Sequence, residues 1–227
     1  MKQLLLTLLL LLGTHTVAVA DDLNDGMAAF RSTDYATAFA KFKKAAEAGN
    51  ASAQSNLASM YFIGQGVALD YGQAVRWYRL ASEHGDREAQ FNLGTMYDKG
   101  QGVPQNHVEA ARWYRAAAEK GDNQSQLNLA TMYYQGLGVQ KDLAEAVKWF
   151  RLSAERGDAK AQYNVGAMYF NGIGVPKDYV VAYMWVSLAA QQGHEGASKE
   201  LKFITPKMTP AQIAEAQRLA REWKPKK

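Results

Sequence analysis

Four loops of the form Gly-x-Gly-Val, beginning at Gly64, Gly100, Gly136 and Gly172, are the first feature of this sequence that could carry chemistry. Paired glycines can cradle a phosphate, but that fingerprint needs a third glycine, a preceding strand and a helix N-terminus aimed at the ligand. Here each loop follows a segment of helical period, and the same loop recurs four times. It therefore reads as a turn between helices. His84, His107 and His194 are the candidate metal ligands outside the N-terminal segment; they form no i, i+4 pair, and the chain has no cysteine. No metal site is expected, and these histidines read as solvated or helix-end residues. Asp70, Asp142 and Asp178 stand where helices begin, where a carboxylate accepts from the first free N–H groups. No nucleophile and base can be paired from these residues, and no cofactor is expected.

The elements that position these residues follow from an internal repeat. At an offset of 36 residues Gly49, Gly85, Gly121, Gly157 and Gly193 coincide, as do Trp77, Trp113, Trp149 and Trp185, and Tyr61, Tyr97, Tyr133 and Tyr169. Alanines 74, 110, 146 and 182 keep the same register. In the second copy the spacing predicts one helix over roughly Arg87 to Asp98 and another over about His107 to Lys120, ended by Gly121. Ala89, Leu93, Met96 and Tyr97 form one apolar stripe, and Ala110, Trp113, Tyr114 and Ala117 the other. One helix pair cannot cover both stripes, so neighbouring pairs must stack. The four tryptophans could be carbohydrate platforms, but Trp77 shares its phase with Ala74, Tyr78 and Ala81, which predicts core packing.

The expected fold is all-α: an α/α solenoid of stacked antiparallel helix pairs with capping helices at both ends. Its organisation reads as a signal peptide over 1–20, an N-terminal capping pair over 21–49, four repeats over 50–193 (50–85, 86–121, 122–157 and 158–193) and C-terminal capping helices over 194–227. In the first cap Ser32-Thr33-Asp34 replaces the glycine loop. In the last, Thr209-Pro210-Ala211-Gln212 has the form of a capping box, and Ile213, Ala216, Ala220 and Trp223 share one face.

Lys2, the apolar run from Leu4 to Leu12 and Ala18-Val19-Ala20 predict export, with cleavage between Ala20 and Asp21 and a periplasmic or secreted destination. The run is about half the length of a membrane span, so no span is expected. The composition, 48% apolar and 21% charged without cysteine, excludes a disordered chain and a disulfide scaffold. The 26 basic residues are interleaved with 22 acidic ones, which gives no concentrated footprint for nucleic acid.

Ala89-Gln90-Phe91-Asn92-Leu93-Gly94-Thr95-Met96-Tyr97, the Gly100-x-Gly102-Val103 loop and Ala110-Ala111-Arg112-Trp113-Tyr114 together resemble the Sel1-like repeat, a relative of the tetratricopeptide repeat. The resemblance implies a non-catalytic extracytoplasmic scaffold that binds a protein or peptide, in the manner of envelope regulators or immunity partners of secreted effectors. The alternative it implies is a β-lactam-binding or hydrolysing enzyme, as associated with the family's cysteine-rich branch. In related solenoids the face opposite Leu57, Met60 and Tyr61 lines a concave groove. By that analogy Phe62, Phe91, Leu127, Tyr134, Tyr163 and Phe170 are the expected partner-binding ribbon. Asn56, Asn92, Asn128 and Asn164 recur beside it; their recurrence suits hydrogen bonds that fix neighbouring loops, the second reading being contact with a bound peptide backbone.

Overall fold

The computed structural model describes residues 19–226, so the segment 1–20, read from sequence as a signal peptide, lies outside the described residues except for Val19 and Ala20. The chain forms two compact units, one ending at Asn106 and the other beginning at His107. Within each, helices joined by short turns pack on their neighbours, and the described residues contain no strand.

The first unit holds α1, whose described part covers 19–31, then α2 (Tyr35–Glu47), α3 (Ala51–Ile63), α4 (Tyr71–Glu83) and α5 (Arg87–Lys99). Thr33, at φ 63°, makes the turn that the glycine loop makes elsewhere, in the left-handed region that a non-glycine residue enters only where the surroundings hold it. Lys44 and Lys41 bind the enclosed carboxylate of Asp22 at 2.8 and 3.0 Å, tying α1 to α2 and holding that carboxyl below its usual range.

Two devices recur at the turns. Gly85 lies at φ 83°; its N–H donates to Ser82 O and that of Asp86 to Ala81 O, which closes α4 with the paired bonds of a glycine C-cap. Asp86 then turns its carboxylate onto Ala89 N at 2.7 Å and caps α5, so one Gly-Asp pair ends a helix and starts the next. Asp70 caps α4 by accepting from Gln73 N at 3.0 Å, as its position predicted.

The core of the first unit contains Leu57, Met60, Trp77, Tyr78, Leu93 and Met96, all buried. Tyr78 Oη shares a hydrogen bond of 2.8 Å with Ser59 Oγ, and burial pushes its pKa up to about 12 from the ordinary 10.0. Because the folded state holds this proton more tightly than the unfolded chain, the stability tied to it is whole below pH 10.0 and is lost as pH rises towards about 12. That linkage is worth up to about 2 to 3 kcal/mol. Chemical denaturation of the wild type against Tyr78→Phe at pH 9 and pH 11 should show a steeper alkaline loss in the wild type. Equal losses would place the phenol in water.

The second unit holds α6 (His107–Glu119), α7 (Asn123–Gln135), α8 (Leu143–Glu155), α9 (Ala159–Asn171), α10 (Tyr179–Gln191) and α11 (Glu195–Ile204). A 3-10 turn at Thr205–Lys207 leads to α12 (Pro210–Glu222). Asp142 and Asp178 cap α8 and α10 as expected, while Asp122 and Asp158 cap α7 and α9. The helices predicted over Arg87 to Asp98 and His107 to Lys120 correspond to α5 and α6 within a residue at each end. The capping box at Thr209 is formed in both directions, and Ala216 and Ala220 of α12 are buried where it packs on α10. Trp223 meets Trp185 edge to face at 6.1 Å, and Lys226 ties the chain end to Glu155 of α8 at 2.8 Å.

Glutamines at the repeat interval were not singled out by sequence. Gln126 and Gln162 are buried and donate to Ala118 O and Ala154 O at 3.1 and 3.2 Å, as Gln54 and Gln90 do to Ala46 O and Ser82 O in the first unit. Each bond joins a helix to the last turn of the preceding one. The second glycine of each Gly-x-Gly loop has a packing role. A Cβ on Gly138 would run into the backbone of His107 at the start of α6, and one on Gly174 into Leu143 O at the start of α8.

Candidate partner-binding face

On α7 the residues Gln124, Asn128, Thr131 and Gln135, at i, i+4, i+7 and i+11, form a stripe that is exposed at both ends and half-buried between. Lys160, Asn164, Ala167 and Asn171 repeat that pattern on α9. In the first unit it recurs with Ser52, Asn56, Ser59 and Ile63 on α3, and Glu88, Asn92, Thr95 and Lys99 on α5. The open face of the first helix in each pair is therefore a mostly polar stripe with an asparagine at its second position in every copy, and Ile63 and Ala167 are its apolar members.

This placement corrects part of the expected ribbon. Leu127 is only 9% exposed and belongs to the core of the second unit. Tyr163 lies under α11: its ring stacks on His194 with centroids 4.4 Å apart, and Gly196 sits against the ring edge. Burial first, and the charge of Glu200 second, push its pKa up. The corresponding Ser55 in the first unit is buried and Phe91 is half-buried. Phe62 and Phe170 are half-buried against Tyr71 and Tyr179, with ring centroids 5.3 and 5.8 Å apart. Tyr134 differs from them. It has Leu143 where those residues have a tyrosine, is 40% exposed, and carries Lys141 Nζ 6.0 Å from its ring centroid.

The expected loop bonds of the recurring asparagines are absent. Among the described residues no side-chain hydrogen bond joins Asn56, Asn92, Asn128 or Asn164 to a neighbour, although all four are half-buried. The stripe asparagine thus leaves both its donor and its acceptor open to solvent or to a ligand. Thr131 spends its hydroxyl proton on Leu127 O at 2.9 Å, and Asn171 spends one amide N–H on Ala167 O at 2.9 Å, leaving their oxygen lone pairs.

Between α7 and α9 the stripe opens into a cleft of about 310 Å³. Phe150, Met168 and Ile173 line its apolar part, while Tyr134, Gln135, Asn164 and Asn171 supply polar edges. None of its lining residues carries a charge. Ala167 contributes to the opening, because Ser59, Thr95 and Thr131 stand at that phase in the other repeats.

The four repeated tryptophans lie in the core as expected, between 5% and 8% exposed, with Arg112 over the Trp113 ring at 4.4 Å. The three described histidines stand at helix ends: His84 follows α4, His107 begins α6 and His194 precedes α11. Among the described residues no three acidic or histidine side chains gather as a metal site, and no helix is long and apolar enough to cross a membrane.

The chain belongs to the Sel1 repeat family, whose sequence pattern matches residues 26–50, 51–86, 87–122, 123–158 and 159–194. Among solved structures it is similar to c5321, a protective antigen present in uropathogenic Escherichia coli strains, which displays an SLR fold. The two share 35% identity and a TM-score of 0.78, over 88% of this chain and 46% of that one. A Sel1 repeat protein from Oxalobacter formigenes is 36% identical, with a TM-score of 0.68 over 75% of this chain and 49% of its own. The chain thus spans about half the length of these two relatives. No curated protein gives a significant match. Solenoids of this family are typically protein-binding scaffolds, and no catalytic family is indicated.

Proposed function

We propose that the chain is an exported, non-catalytic scaffold that holds a partner protein, or an extended segment of one, against the open face of the first helices of its repeats. The observation that carries this reading is the stripe with an unbonded, half-buried asparagine in each of four repeats. A half-exposed amide of this kind exchanges water for a bound main chain, a net gain of about 1 kcal/mol for each hydrogen bond made. Binding a partner requires no charged or nucleophilic group, in keeping with the neutral lining of the cleft.

Export rests on Lys2, the Leu4 to Leu12 run and Ala18-Val19-Ala20. Cleavage after Ala20 leaves Asp22, the residue that ties α1 to α2, as the second residue of the mature chain. N-terminal sequencing of protein from the soluble envelope fraction should begin at Asp21. Intact Met1 on cytoplasmic protein would overturn the export reading. The scaffold reading is tested with the mature chain as bait in envelope extract: a stoichiometric protein partner is expected, and turnover of a β-lactam by the purified chain would instead favour an enzyme.

A further inference from the structure

The cleft between α7 and α9 is chemically more specific than the stripe around it. Its floor is apolar, its lining carries no charge, and its edges offer amide donors and acceptors from Asn164 and Gln135. Three lysines belong to its surroundings. Lys141 lies over the Tyr134 ring at 6.0 Å, Lys160 stands one turn before Asn164, and the side chain of Lys177 lies beside Gly172, which follows Asn171. None of the three forms an ion pair among the described residues. The carboxylates close to them in sequence are committed elsewhere: Asp142, Asp158 and Asp178 cap helices, and Glu145 binds Lys148 at 3.0 Å. A neutral, apolar cleft with unpaired cations around it suits a ligand that is apolar at one point and anionic beside it.

We propose that this cleft takes one aromatic or branched apolar side chain of an extended acidic peptide segment, an inference that rests on the scaffold reading above. The amide of Asn164 holds the peptide backbone next to that side chain, using the donor and acceptor it leaves unused within the chain. Lys141, Lys160 and Lys177 face carboxylates that flank the apolar residue. The equivalent residues in the first unit fit such a segment less well, because Glu88 and Asp98 stand on or beside its α5 stripe.

The test selects a phage-displayed library of random short peptides on the purified full chain. Enriched peptides should share an aromatic or branched apolar residue with Asp or Glu nearby, and their synthetic forms should bind several-fold more weakly as salt rises from about 0.05 to about 0.5 M. Ala167→Phe, which fills the cleft, and Asn164→Ala, which removes the amide, should each weaken binding by about tenfold or more. Melting curves accompany both variants. If Ala167→Phe loses its fold, Asn164→Ala decides, since it deletes only a half-buried, unbonded group. Enrichment of basic peptides, no enrichment, or undiminished binding to a folded variant overturns the proposal. A partner captured from envelope extract equally by wild type and Ala167→Phe would overturn the cleft alone, whereas no capture by wild type would overturn the scaffold reading itself.

Discussion

Trp113→Ala should lower the stability of the second unit by about 3 to 5 kcal/mol, the usual cost of removing a buried aromatic. Trp113 is 6% exposed on α6, among the buried Ala110, Tyr114 and Ala117, so the deletion leaves a hole that the methyl groups of the neighbouring alanines are too short to fill. The Arg112 guanidinium would lose the ring it covers at 4.4 Å. For a chain of this size the melting temperature should fall by about 10 °C, measured by circular dichroism. An unchanged melt would put the ring at the surface and revive the carbohydrate-platform reading of the repeated tryptophans.

Gly138→Ala should cost about 2 to 4 kcal/mol, combining left-handed strain with a forced shift of packed backbone. Gly138 has φ 66°, and an added Cβ would collide with the backbone of His107 and Val108. Gly193 provides the control within the same unit, because at φ 81° it shares the left-handed conformation but a Cβ there meets nothing within 4 Å. Gly193→Ala should therefore cost only about 1 to 2 kcal/mol. Thermal melts of the two variants should differ by the cost of the close approach. Equal, small losses would mean that the loop does not rest on α6, and protection of the wild type by phosphate or a nucleotide would revive the phosphate reading of the loops.

The architecture was legible because its signals are local and repeat. Glycines that must enter φ near 80°, aspartates that cap the next helix and a capping box at Thr209 are each readable from a few residues. The candidate face was only half legible. Aromatic and apolar character drew the ribbon to the phase of Leu127 and Tyr163, yet that phase is covered from within: Leu127 enters the core, and α11 lies over Tyr163. The adjacent phase, Asn128 and Asn164, looked structural because it recurs in every repeat. Periodicity marks a residue as doing the same thing each time, but not whether its partner lies inside the chain. The glutamine row failed in the opposite direction. A glutamine on a helix reads as solvated, yet Gln126 and Gln162 are buried and bonded to the preceding helix; their recurrence between residues of the apolar face was the available signal.

The central claim, that the open face of the first helices holds a partner protein, is tested most directly by site-specific photo-crosslinking in cells that produce the protein. A photoreactive residue would replace Asn92 on α5 or Asn128 on α7, both half-buried on the stripe, and in control chains the exposed Arg76 on α4 or Lys148 on α8. The account predicts a discrete, heavier adduct from positions 92 and 128 and none from 76 and 148. Adducts from the control positions alone, or no protein adduct from either stripe position, would contradict it.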